Sequence, residues 1–190
     1  VSLVGKAGTG KTLLAIAAGL KQTMEDKLYT RVLVSRPVIP MGKDIGFLPG
    51  AKGEKLSHWM MPIFDNLEYI LSVYKKPAVK NAEQLINNKT IELEALAYIR
   101  GRSLPGQFII IDEAQNLTPH EVKTIVSRAG EGSKVVLTGD PYQIDSPYLD
   151  ASSNGLSYLV EAFKGQAIAG HVSLIHTERS PLAELAATLL

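Results

Sequence analysis

Val1-Ser2-Leu3-Val4-Gly5-Lys6-Ala7-Gly8-Thr9-Gly10-Lys11-Thr12 runs from a short, mostly apolar segment straight into a glycine-rich turn that closes on Lys-Thr. The apolar run predicts a buried strand, and Leu13-Leu14-Ala15-Ile16-Ala17-Ala18-Gly19-Leu20 has the composition of a buried helix. Between them, Gly5, Gly8 and Gly10 permit a tight turn whose backbone N–H groups face inward at close range, as a phosphate requires. Lys6, Ala7 and Thr9 complete that loop. Lys11 adds a point charge for the terminal phosphates, and the Thr12 hydroxyl is a candidate ligand for a magnesium ion held between phosphate oxygens. The positive N-terminal end of the helix faces the same anion. Strand, loop and helix come in the order of a phosphate-binding loop.

The rest of the chain sets bounds on this reading. A length of 190 residues predicts one domain with one substantial core. Hydrophobic residues at 45% and charged residues at 21% are ordinary for a globular protein, and no apolar stretch is long enough to cross a bilayer. With zero cysteines, disulfides and thiolate metal sites are excluded, which fits a reducing compartment, and no basic, apolar leader is visible. The expected location is the cytoplasm. The net charge of +1 advertises no global affinity for nucleic acid, so any basic surface is local. A strand of this kind normally lies inside its sheet with sequence before it, so the chain is expected to be the later part, or a trimmed piece, of a longer protein.

Further along, Arg31-Val32-Leu33-Val34-Ser35 reads as a second buried strand closed by Arg36-Pro37. Residues 38–53, rich in Gly and Pro, read as a long functional loop. Residues 54–74 carry helical spacing in Leu56, Trp59, Met60, Ile63, Phe64, Leu67 and Ile70, with Pro62 as a break or kink. The polar stretch 75–88 connects, or carries a short helix, before the apolar segments 90–93 and 96–99. Strands are then expected at Phe108–Ile111, Lys134–Leu137 and Val172–Ile175. Helices are expected at Pro119–Ala129 with Thr118 as N-cap, at Asn154–Phe163, and at Pro181–Leu190. Alternating strands and helices predict right-handed crossovers and an α/β fold, a parallel sheet covered by helices on both faces.

Phe108-Ile109-Ile110-Ile111 ends in Asp112-Glu113, the second half of an ATPase site. In a parallel sheet, ligands bind beyond the carboxyl ends of the strands, where Asp112 and the phosphate loop both emerge. Asp112 is placed to hold magnesium through water, and Glu113 to orient or deprotonate the attacking water. The bland alternative is a solvated turn with two acids. Leu137-Thr138-Gly139-Asp140-Pro141-Tyr142-Gln143 ends the next strand, and Gln143 is a candidate sensor of the terminal phosphate. Here the alternative is a capping Asp140 and an exposed Gln143. A small-molecule kinase would share the loop, but Glu113 and Gln143 point to water as the acceptor, and there is no arginine-rich lid.

Taken together, the loop Gly5 to Thr12, Ser35-Arg36-Pro37, Gly46-Phe47-Leu48-Pro49-Gly50, Asp112-Glu113-Ala114-Gln115-Asn116, Gly139-Asp140-Pro141-Tyr142-Gln143-Ile144-Asp145 and Glu178-Arg179-Ser180 resemble the PhoH-like ATPases. The likeness is greatest to the ATPase module that follows a PIN ribonuclease domain, and it covers essentially the whole chain. It implies a P-loop NTPase with a RecA-like sheet related to superfamily one helicases, and hydrolysis of ATP with Mg2+. It further implies a cytoplasmic bacterial setting, ring-like homo-oligomers and action on RNA. One departure is His176-Thr177 where the resemblance leads one to expect Lys-Gly.

Arg179 follows the last expected strand and is a candidate for transition-state charge, in its own subunit or a neighbour's; the alternative is an exposed arginine paired with Glu178 or Glu184. For single-stranded RNA, Arg36, Lys43, Lys52 and Lys55 offer charge, with Phe47, His58 and Trp59 as flat faces, although Trp59 also belongs to the apolar stripe.

Overall fold

In a computed structural model of the chain, residues 1–37, 60–74, 81–99 and 101–178 are described, together with Leu182 and Leu185. The elements run β1 Ser2–Gly5, α1 Lys11–Met24, β2 Arg31–Arg36, α2 Met61–Val73, α3 Ala82–Asn87, β3 Ile91–Ala95 and α4 Leu96–Ile99. They continue with β4 Gln107–Ile111, a 3-10 turn Ala114–Asn116, α5 Pro119–Val126, β5 Lys134–Gly139, α6 Gly155–Ala162 and β6 His171–Leu174. All six strands are parallel, in the order β3-β2-β4-β5-β1-β6.

β2, β4 and β5 are apolar at successive positions because each divides its side chains between two helical layers. Val32, Val34, Phe108, Ile110 and Val136 face one cluster, with Ala15, Ile16 and Leu20 of α1, Ile63 and Leu67 of α2 and Leu85 of α3. Leu33, Ile109, Ile111 and Leu137 face the other, with Ile99 of α4, Val122 and Ile125 of α5 and Leu156 of α6. Each of the larger side chains among them, once buried, contributes roughly 1.5–3 kcal/mol of transfer free energy. The path also explains the two layers. From β1 to β3 the chain moves across the sheet in one sense with α1, α2 and α3 on one face; from β3 to β6 it returns with α4, α5 and α6 on the other. Right-handed crossovers require that change of face.

The expected elements form with shifted ends. Pro62 lies in the first turn of α2, where its missing N–H leaves no bond unmade, so it starts the helix and does not kink it. The expected helix 119–129 stops at Val126, because Arg128 and Gly130 bond to Leu104 across the sheet margin (Leu104 N–H to Arg128 O, 3.0 Å; Gly130 N–H to Leu104 O, 3.2 Å). Its start is fixed by a capping box: Thr118 Oγ1 accepts from the Glu121 N–H at 3.2 Å, and Glu121 Oε2 accepts from the Thr118 N–H at 2.9 Å. Asn154 caps α6 from outside it, its side chain accepting from the Ser157 N–H at 2.9 Å. The last strand begins at His171, one residue early, and Ile175 is left exposed. Residues 38–59, with Lys43, Lys52, Lys55 and Trp59, lie outside the described residues, as do Arg179 and nearly all of 181–190. Among the described residues no helix is long and apolar enough to cross a membrane.

Candidate functional site

Gly5 ends β1, and residues 6–10 turn into α1, whose first two residues are Lys11 and Thr12. Gly8 and Gly10 take φ of 83° and 80°, a left-handed region that a side chain disfavours, so the turn needs glycine there. The loop is closed by its own atoms. Thr9 Oγ1 donates to the Lys6 carbonyl at 2.9 Å, and Lys11 Nζ donates to the carbonyls of Gly5 at 2.7 Å and Lys6 at 2.9 Å. A largely buried ammonium has to be hydrogen-bonded in this way, and these bonds hold it beneath the turn. A contact from outside joins them: the Glu178 N–H donates to the Gly8 carbonyl at 3.0 Å.

Two strands away, Asp112 leaves the end of β4 at the same edge of the sheet as this loop and is 3% exposed. Its Oδ1 accepts from Thr12 Oγ1 at 2.7 Å and from Thr138 Oγ1, on β5, at 2.6 Å. Its Oδ2 lies 4.0 Å from Arg36 Nε at the end of β2. Thus β2, β4, β5 and α1 all contribute to one carboxylate, which is what a buried charge requires. Glu113 follows with φ of 53°, a conformation that turns its side chain out of strand register. Its Oε1 faces Arg36 Nη2 at 3.5 Å, and its Oε2 accepts from Gln115 Nε2 at 2.6 Å.

The structure therefore brings Lys11, Thr12, Asp112 and Glu113 to one edge of the sheet. Gln143 is nearby in a different way: its side chain is exposed, while its backbone carbonyl accepts from Gln115 Nε2 at 2.9 Å. Asp140 braces the turn that follows β5, its Oδ1 accepting from the Tyr142 N–H at 3.1 Å, and among the described residues no helix starts there for it to cap. Arg36, expected at a nucleic-acid surface, lies against the two acids, with its side chain 23% exposed. Sequence reasoning gave no role to Thr138 or Gln115. Thr138 had one usable signal, a hydroxyl in an otherwise apolar strand end, whereas the Gln115 contacts leave no spacing pattern.

For a cofactor, the donor set is hard oxygen: the Thr12 hydroxyl and the Asp112 carboxylate, in contact with each other. Among the described residues no group of three or more His, Asp or Glu converges as a metal cage. Two oxygen donors beside a phosphate loop fit Mg2+, which keeps several waters and binds through one or two protein oxygens plus phosphate. The arrangement of strand, loop, helix and carboxylate is that of a P-loop nucleotide-binding protein.

Comparison with known proteins agrees. The PhoH-like protein family pattern matches residues 1–189. Protein PhoH2 of Bacillus subtilis is 63% identical over 190 residues, covering 100% of this chain and 42% of that protein. Protein PhoH2 of Mycolicibacterium smegmatis is 41% identical over 191 residues, again covering 42% of that protein. The chain thus spans about two fifths of the length of these curated relatives. Among solved structures it bears a distant likeness to the Pif1 helicase from Candida albicans, with a TM-score of 0.42 and 16% identity over 93% of this chain and 36% of that one. With the pattern matched from end to end and relatives this similar, the chain belongs to the PhoH-like protein family.

Proposed function

We propose that this chain binds ATP with Mg2+ and hydrolyses it, coupling the reaction to single-stranded RNA. The observation that carries the reading is the buried Asp112 carboxylate, which accepts from Thr12 of the phosphate loop while its neighbour Glu113 stands at the same edge. In this reading the N–H groups of residues 5–12 and Lys11 hold the phosphates. Thr12 and Asp112 hold the cation, whose role when bound is to neutralise charge on the phosphate oxygens. Glu113 orients the attacking water and takes its proton. Gln143 senses the terminal phosphate, and Arg179 reaches charge in its own subunit or in a neighbour within a ring-like assembly. Lys43, Lys52 and Lys55 remain the candidate RNA contacts, while Arg36 acts on the acids.

One observation favours a second reading. Both Glu113 oxygens are engaged, by Arg36 and by Gln115, an arrangement suited to slow turnover. A regulatory module, in which nucleotide state sets assembly or gates an attached ribonuclease domain, would need no more. Phosphate release by the intact protein, with and without single-stranded RNA of defined length, separates the two. Magnesium-dependent turnover that rises with RNA is expected; turnover indifferent to RNA, with light scattering showing a change of assembly on ATP addition, selects the regulatory reading. No magnesium-dependent turnover at all removes the hydrolase.

A further inference from the structure

Gln115 is 0% exposed and has no part in the reaction just proposed. Its amide joins three groups: Nε2 donates to Glu113 Oε2 at 2.6 Å and to the Gln143 carbonyl at 2.9 Å, and Oε1 accepts from the Asp140 N–H at 3.2 Å. Chemistry fixes its orientation. Turned over, the oxygen would face a carboxylate and a carbonyl, and the nitrogen would face an N–H. Only a side chain with a donor and an acceptor at this length satisfies all three partners; asparagine is a methylene short, and glutamate would set carboxylate against carboxylate. Space is kept for it as well. A Cβ on Gly139 would fall on Gln115 Oε1 and 2.7 Å from Leu156 Cδ2. Next to it, Asn116 makes a second tie, with Nδ2 donating to Asp145 Oδ2 at 3.1 Å and Oδ1 accepting from the Asp145 N–H at 2.8 Å. Residues 140–145 are therefore fastened at both ends to the tract that carries Glu113.

We propose that Gln115 is a positioning residue that couples the Glu113 carboxylate to the 140–145 loop, so that the two shift as one body when the bound nucleotide changes. The role of Glu113 in this proposal rests on the hydrolase reading above. A buried amide that loses one partner is left with an unsatisfied polar atom, so a displacement at either end is transmitted and not absorbed. Arg36 at the other Glu113 oxygen restricts rotation of the carboxylate, which leaves translation of the whole tract as the response.

The test uses the intact protein with Gln115→Met, which keeps the volume and removes the amide, and Gln115→Ala, which cannot clash and serves if methionine is not accommodated. The expected result is an ATP Kd within about twofold of the unaltered protein and a kcat lower by about 10- to 100-fold, the scale of a lost hydrogen bond behind a reacting group. In the Glu113→Gln background the Gln115 substitution should cost no further rate, since Gln115 acts through that carboxylate. Amide exchange gives an activity-independent readout. ATP alters exchange at both 5–12 and 140–145 in the unaltered protein, and only at 5–12 in the variant. An unchanged kcat, an unchanged response at 140–145, or no such response in the unaltered protein overturns the coupling. A protein that binds ATP but releases no phosphate overturns the hydrolase reading instead, and the exchange data alone then decide the coupling.

Discussion

The two sides of the site are built by different means. The phosphate loop closes on itself: the side chains of Thr9 and Lys11 bond the carbonyls of Gly5 and Lys6. The acid side is assembled from afar, with Asp112 meeting Thr12, Thr138 and Arg36, and Gln115 reaching residues 140–143. A loop closed largely by its own atoms keeps the shape of an anion receptor with little help from distant elements. A carboxylate pair held by four elements takes its geometry from the whole sheet edge, so binding and turnover should fail separately.

The sharpest division is expected from Glu113→Gln, which keeps size and removes the proposed base. Its kcat should drop about 10²- to 10⁴-fold, the usual contribution of a general base, with ATP affinity near that of the unaltered protein by fluorescence titration. Equal losses in both would break the contrast. Lys11→Ala strikes the other side. Affinity should fall roughly 10- to 150-fold, the worth of a charge-assisted hydrogen bond at about 1.5–3 kcal/mol, as read by the same titration.

Gly139→Ala tests the packing behind the acids. Its Cβ would meet Gln115 and Leu156, and overpacking of this kind costs about 1–3 kcal/mol. The denaturant midpoint should move down accordingly, and kcat with it, while ATP affinity holds. The smallest effect is expected at Asp150, a local network with no tie to the site. The Ser152 hydroxyl, then the Ser153 and Ser152 N–H groups, bond its carboxylate and lower its pKa to about 2. A lowered folded value means that the contribution is complete above the ordinary value of 3.8 and is lost as pH falls through about 2. Amide exchange at Ser152 and Ser153 should quicken over that window without a change at residues 5–12.

This contrast also governs what could be read from residue order. The phosphate loop was legible because its contacts are contiguous, and the strands because burial on both faces leaves runs such as Phe108-Ile109-Ile110-Ile111. Thr118 was legible as an N-cap, and the structure adds Glu121 as the partner that completes its capping box. Arg36 was legible as a charge at a strand end but not as a partner of Glu113, since the two are far apart in the chain and only the strand order sets β2 beside β4. Gln143 illustrates the same limit: its place was readable, but it is the backbone carbonyl that is held, through a residue 28 positions earlier.

The bond from the Glu178 N–H to the Gly8 carbonyl has its own mechanical meaning. The segment leaving β6 leans on the rim of the loop, so a displacement of that segment reaches the loop through this bond as well as through the pairing of β6 with β1. On the ATP-binding reading proposed above, a pull on the segment after β6 would act on the loop that holds the nucleotide.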